Sequence, residues 1–335
     1  MIVYADLRWP DKTGIGLVQR EMLRRTPKNI DVIDIHALGG VASPVSPISI
    51  SVALKRQRAR EGIFWSPGFI PPAFTALPSV VTVHDLTHLH FYSRAHIAYY
   101  NLVLKQLYRK CTRIICVSAY TRNEFLQWSA IAEQKVHMVH NGVADAFGLD
   151  GPNALFPFKY IFYPGNHRSY KNITRLMEAY KISALPSTGI RLVLTGRANE
   201  KCTADINRLG LEPFVHFAGD LDDQQMVEAY RGAHVVALVS LYEGFGLPIL
   251  EAMAAGVPVL TSNRSAMPEI GGDAAISVDP YSIGEIARWL EVLSFDFEVR
   301  RVQIRLGRQR VELFNWNKSA DKLWGLLESL PDGRS

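Results

Sequence analysis

Short apolar runs alternate with segments of helical periodicity from one end of this chain to the other, and few folds accept that pattern. Continuous apolar runs are strands covered on both faces, and the amphipathic segments between them are crossovers that make neighbouring strands parallel. Runs at 2–6, 32–36, 63–66, 80–84, 113–117 and 136–140 predict one series of six strands; runs at 160–163, 191–195, 215–218, 235–239, 258–261 and 275–278 predict a second. Between the series, 145–158 (DAFGLDGPNALFPF) is rich in Gly and Pro, has no periodicity, and reads as a linker. A length of 335 residues lets two such domains each bury a core. The expected fold class is therefore α/β: two Rossmann-like doubly wound domains facing a cleft, with ligands collecting beyond the carboxyl ends of the strands.

The densest chemistry lies at 241–256, LYEGFGLPILEAMAAG. Gly244 and Gly246 let a loop approach a ligand closely and adopt positive φ, and Pro248 suits the first turn of a helix. The unpaired N–H groups of that turn, with the helix dipole, suit a phosphate. Glu251 stands among Ile249, Leu250, Ala252, Met253, Ala254 and Ala255, which predicts a helix buried on nearly every face. A carboxylate there needs hydrogen-bond donors, such as the two vicinal hydroxyls of a ribose or neighbouring backbone. Glu243, on the loop, is placed to face a second hydroxylated group.

With seven residues between Glu243 and Glu251, the GFGLP loop, and GVPVLTSNRSAMPEIGGDAA at 256–275, the sequence resembles the retaining glycosyltransferases of family 4, of bacterial mannosyl- or rhamnosyltransferase type. The resemblance implies the GT-B fold, with domains at 1–150 (acceptor) and 151–318 (nucleotide-sugar donor) and a terminal helix at 319–335 packing back on the first. By the same resemblance Glu251 binds the donor ribose, Glu243 the donor sugar, and Gly244, Phe245, Gly246 and Leu247 form the donor loop. In FYPGNHRSYKN, Lys171 matches the lysine that holds the diphosphate, while Asn166 stands beside Gly165 where the family has an arginine. Either Arg168 reaches the phosphate from two residues on, or Asn166 donates a neutral hydrogen bond. Gly196 and Arg197 end a strand near the nucleotide. In the first half, His84 and Asp85 end the run VVTVHDL, with His84 orienting the donor sugar, and Gly14 and Gly16 of TGIG approach the donor phosphates or the acceptor. His88 and His90 follow on the acceptor side, and Ser118 and Asn141 also end strands.

The resemblance implies retention of anomeric configuration and no cofactor other than the nucleoside-diphosphate sugar, favoured as GDP-mannose, with a UDP-sugar as the alternative. A lipid- or glycan-linked acceptor in surface polysaccharide synthesis is the expected partner. Asp220 and Asp222 have the Asp-x-Asp spacing of metal-dependent transferases, but Asp222 with Gln225 reads as a helix cap, and no metal is expected. A nicotinamide-dependent oxidoreductase is the rival class, since both domains look like Rossmann units; against it, TGIG lacks the third glycine of a dinucleotide fingerprint, with Gln19 in its place.

Charge adds one expectation. Residues 1–150 carry 17 Lys and Arg against 11 Asp and Glu, whereas the remainder carries 20 against 21. The densest patch is KRQRAR at 55–60, which reads as a solvated helix face or, as the alternative, a surface that draws the first domain to an anionic membrane or a lipid diphosphate. No interleaved aromatics or recognition motif point to nucleic acid. Three cysteines without metal-type spacing, no basic leader and no apolar run of about 20 residues fit a cytoplasmic protein.

Overall fold

The computed structural model describes residues 1–41, 43–148 and 155–331. All twelve expected strands form, in two sheets of six, and every strand pair is parallel. The first sheet contains β1 (Ile2–Ala5), β2 (Asp31–Asp34), β3 (Ile63–Ser66), β4 (Ser79–Val83), β5 (Arg113–Cys116) and β6 (Val136–Met138) in the order β2-β1-β3-β4-β5-β6. The second contains β7 (Tyr160–Tyr163), β8 (Arg191–Leu194), β9 (Val215–Phe217), β10 (Val235–Leu238), β11 (Val259–Ser262) and β12 (Ile276–Val278) in the order β12-β11-β10-β7-β8-β9. The central strands β3, β4, β7, β10 and β11 are buried at every residue, which is why they read as unbroken apolar runs and not as alternations.

The chain forms two compact units, Met1–Gly142 with Asn315–Ser335, and Val143–Phe314. Of the stretch 145–158 read as a linker, 149–154 lie outside the described residues; Asp145–Phe147 form a short 3-10 turn within the second unit. The helix Trp316–Glu328 belongs to the first unit. Its buried Trp324 meets Trp65 of β3 edge-on at 5.4 Å and donates its indole N–H to the Met22 carbonyl at 3.3 Å. Arg113 donates to the Leu326 carbonyl, and Asn29 to Glu328 at 2.8 Å, closing the rim of that contact. Cys111, Cys116 and Cys202 are buried free thiols, and burial pushes the Cys111 thiol up to about 12.

Candidate functional site

In the second sheet the strand order reverses between β7 and β10, so the crevice that such a fold offers a ligand opens beyond their carboxyl ends. Two loops meet there. Leu241 N–H donates to the Tyr170 carbonyl at 2.7 Å, tying the loop after β10 to the loop after β7. Lys171 Nζ donates to Glu243 Oε1 at 2.6 Å, and Ser240 Oγ donates to the same oxygen at 2.7 Å. Both side chains of the ion pair are only 13% exposed. The Glu243 N–H donates to Ser265 Oγ at 2.9 Å, which fixes the loop from the β11 side.

Asn172, which sequence reasoning passed over, sets this geometry. It adopts φ +62°, and its amide donates to the carbonyls of Val239 at 3.0 Å and Pro280 at 2.8 Å. It thereby pins the residue after Lys171 to the ends of β10 and β12. Asparagine is among the few non-glycine residues that accept this backbone conformation, and its side chain satisfies two buried carbonyls.

Gly246 carries the positive φ of the glycine loop, +97°, and starts the helix Leu247–Ala254 with Pro248 in its first turn. The sequence predicted a helix buried on nearly every face. It is buried at Ile249, Leu250, Ala252 and Met253, but Leu247, Pro248, Glu251 and Ala254 form a partly accessible stripe. The alanine in that stripe reads as apolar yet covers little surface, so Glu251 is partly accessible as a residue while its carboxyl is buried deeply enough to shift its titration. Glu251 Oε2 accepts from the Tyr230 hydroxyl at 2.5 Å, a partner other than ribose or backbone. Burial pushes Glu251 up to about 7, with the Tyr230 bond opposing the shift. The Tyr230 ring is held edge-on by Phe162 and Phe147, each at 5.2 Å.

The remaining residues of the second unit divide. Gly165 N–H donates to Thr195 Oγ1 at 2.7 Å, and a Cβ there would stand 3.0 Å from the Tyr163 hydroxyl. Asn166 Oδ1 accepts the Arg168 N–H at 3.3 Å, so the asparagine shapes the turn that presents the exposed Arg168. Gly196 has φ +77° and exchanges backbone hydrogen bonds with Gly219. Arg197 and Asp220, 3.6 Å apart, are both solvent-exposed. Asp222 caps the helix Asp223–Arg231 in a reciprocal capping box with Gln225, as its spacing predicts. Gly244 and Phe245 are buried; the Phe245 ring meets Phe314 at 6.0 Å, which leaves backbone as its contribution to a ligand.

In the first sheet the order reverses between β1 and β3. His84 follows β4 and its Nε2 lies 2.7 Å from the Pro67 carbonyl, just beyond β3. A carbonyl can only accept, so Nε2 carries the proton and Nδ1 of the neutral ring is an acceptor. Burial pushes the His84 pKa down, opposed by that bond and by Asp85. Asp85 Oδ1 accepts the Thr87 N–H at 2.9 Å, starting the short helix Thr87–His90. His88 stacks on Tyr100 at 5.0 Å and accepts or donates at its hydroxyl, and His90 pairs with Glu124 at 2.5 Å. Ser118 caps the helix Ala119–Ser129, and Asn141 is buried. Gly14 and Gly16 lie in the first turns of Gly14–Leu23 but are not equivalent. A Cβ on Gly16 would stand 2.0 Å from the Pro10 carbonyl oxygen, whereas Gly14 faces open space. The sequence reading missed Asp6 and Arg8 at the end of β1, joined by two hydrogen bonds of 2.7 and 2.9 Å, with Arg8 also donating to the Leu38 and Gly39 carbonyls.

Two doubly wound parallel sheets with flanking helices, the last helix returning to the first unit, define the GT-B class. Anabaena HepE in complex with UDP and glucose matches over 98% of this chain and 99% of its own, with a TM-score of 0.74 and 16% identity. WaaG, a glycosyltransferase involved in lipopolysaccharide biosynthesis, matches over 98% and 100%, with a TM-score of 0.76 and 15% identity. Within that class the chain belongs to the group 1, family 4 glycosyltransferases. Residues 156–310 match the profile of glycosyl transferases group 1, and residues 61–147 that of Glycosyltransferase Family 4. The chain is 26% identical over 274 residues to O-antigen chain mannosyltransferase B of Escherichia coli, covering 77% of this chain and 71% of that one. It is 28% identical over 229 residues to the MMP alpha-(1->4)-mannosyltransferase of Mycolicibacterium hassiacum, covering 67% and 56%.

Proposed function

We propose that the protein transfers a mannose-type hexose from a nucleoside-diphosphate sugar, favoured as GDP-linked, to a glycan or lipid-linked acceptor of bacterial surface polysaccharide. The observation that carries this reading is the meeting of Lys171, Glu243 and the glycine-led helix of Glu251 around the β7–β10 crevice. A departing diphosphate needs fixed positive potential. Lys171, the exposed Arg168 and the N–H groups after Gly246 supply it, and no metal is required in this scheme. Glu243, already aligned by Lys171 and Ser240, accepts from donor-sugar hydroxyls; Glu251, on the accessible stripe, accepts from the ribose. The neutral His84, with Nδ1 as acceptor, suits a sugar hydroxyl and not proton donation.

With retention, the anomeric C–O bond to phosphate breaks and the acceptor oxygen bonds to the same face of that carbon. The acceptor proton passes to the departing phosphate oxygen. Mannosyltransferase relatives at 26–28% identity support the sugar, and the UDP complex of a structural neighbour makes the base the point to test.

Thermal shift against GDP, UDP, TDP and ADP, followed by transfer from the matching labelled mannose donor, is the decisive experiment. GDP is expected to stabilise most. A stronger response to UDP overturns the choice of base, and no response to any nucleotide overturns the transferase reading.

A further inference from the structure

Five large apolar side chains left exposed on the first unit gather around one helix, Ser46–Arg56. Val45 at its start is 61% exposed, Ile48 54% and Val52 37%. At 100° per residue these three fall with Lys55 and Arg56 within about 100° of arc. The opposite face carries Ile50, Ala53 and Leu54 into the core. Leu38 and Phe74, 67% and 56% exposed, flank the stripe on its two sides. Ser49 Oγ donates to the Leu38 carbonyl at 2.6 Å, and the Phe74 N–H donates to Ser51 Oγ at 2.9 Å. Beyond the helix Arg58 and Arg60 are also exposed, with Glu61 the one carboxylate in 55–61.

A water-facing helix stripe is ordinarily polar along its length, and single exposed aliphatics need no explanation. A contiguous apolar set that runs into a cluster of cations does. A second copy of the chain could cover the aliphatic part but would bring the like-charged ends into a low-polarity interface. An anionic bilayer accommodates both halves: aliphatic and aromatic side chains enter the boundary between headgroups and acyl chains, and the cations meet lipid phosphates. We propose that the exposed face of the helix Ser46–Arg56, with Leu38 and Phe74, docks on an anionic phospholipid bilayer. Each cation close to such a surface strengthens partition roughly fivefold at moderate salt.

The test is co-sedimentation of the full chain with phosphatidylglycerol–phosphatidylcholine vesicles and with pure phosphatidylcholine vesicles. Binding is expected to the first, weakening as salt rises. It is expected to fall about tenfold or more in the pair Ile48→Asp with Val52→Asp, and similarly in Lys55→Glu with Arg56→Glu. These positions are exposed, so the variants retain their melting temperatures. Failure of the unmodified chain to bind phosphatidylglycerol vesicles, or binding indifferent to both pairs, overturns the proposal. So does a dimer in sedimentation velocity that the aspartate pair dissolves, since the face then belongs to a second copy. Nucleotide-induced thermal shift, read on the same samples, depends on the other unit. A chain that binds nucleotide but no vesicles defeats this proposal alone, and the reverse outcome defeats the transferase reading alone.

Discussion

Lys171 and Glu243 hold each other at 2.6 Å with little solvent access, so truncating the lysine has two effects that can be separated. Lys171→Ala removes a phosphate ligand and leaves a carboxylate short of its cation. Transfer is expected to drop about 10²–10³-fold, and stability by about 1–3 kcal/mol. Adding Glu243→Gln should restore the melting temperature but not the rate. Recovery of both in initial-rate assays would reduce Lys171 to a structural counter-ion. Glu251 gives a pH signature of its own. Its folded pKa of about 7 lies above its ordinary 4.5, so between those values the native state holds more protons than the unfolded chain. Its contribution therefore declines as pH rises from about 4.5 to about 7 and is level above that. Glu251→Gln should remove the slope, gaining up to about 3 kcal/mol on the parent across that window. Urea melts at several pH values measure it, and parallel curves for the two proteins would contradict the assignment.

At the scale of elements, the glycines of the first helix make different predictions. Gly16→Ala drives a Cβ into the Pro10 carbonyl and should destabilise the unit by several kcal/mol, on the order of other overpacked sites. Gly14→Ala meets open space and should leave melting unchanged or slightly raised. If a ligand approaches that turn, Gly14→Ala instead lowers turnover; unaltered turnover takes Gly14 off the ligand path. Asn172→Ala loses three side-chain hydrogen bonds, two donated to the Val239 and Pro280 carbonyls and one accepted from Arg175, and places alanine at φ +62°, for about 2–4 kcal/mol. Calorimetry of the variant checks this. The strands and the glycine-led helix were legible in the sequence because continuous apolar runs and a Gly-Leu-Pro helix start are local signals. The partners were not. Tyr230 reaches Glu251 from a separate helix, Lys171 reaches Glu243 across 72 positions, and the Asp6–Arg8 pair looks like any charged strand end until the fold closes. Only pairing through space distinguishes such residues from solvated ones.

For the whole molecule, the second unit is an insertion within the first: the chain leaves the first unit at Gly142 and re-enters it at Asn315. The returning helix is no appendage, since Trp316, Leu323, Trp324 and Leu327 are buried. Trp324→Ala should cost the first unit about 3–5 kcal/mol, read as a shift of that unit's unfolding transition to lower urea. A change confined to the second unit's nucleotide response would contradict that placement. No helix among the described residues is long and apolar enough to cross a membrane. The threading of the chain also bears on its synthesis. A ribosome releases the strands around Trp65 long before it makes the tryptophan that covers them, so the part of the first unit translated before the insertion must wait for the helix translated after it, while the inserted unit is contiguous and can close meanwhile. A nonsense mutation ahead of Trp316 would therefore cripple the half of the molecule that was made earliest.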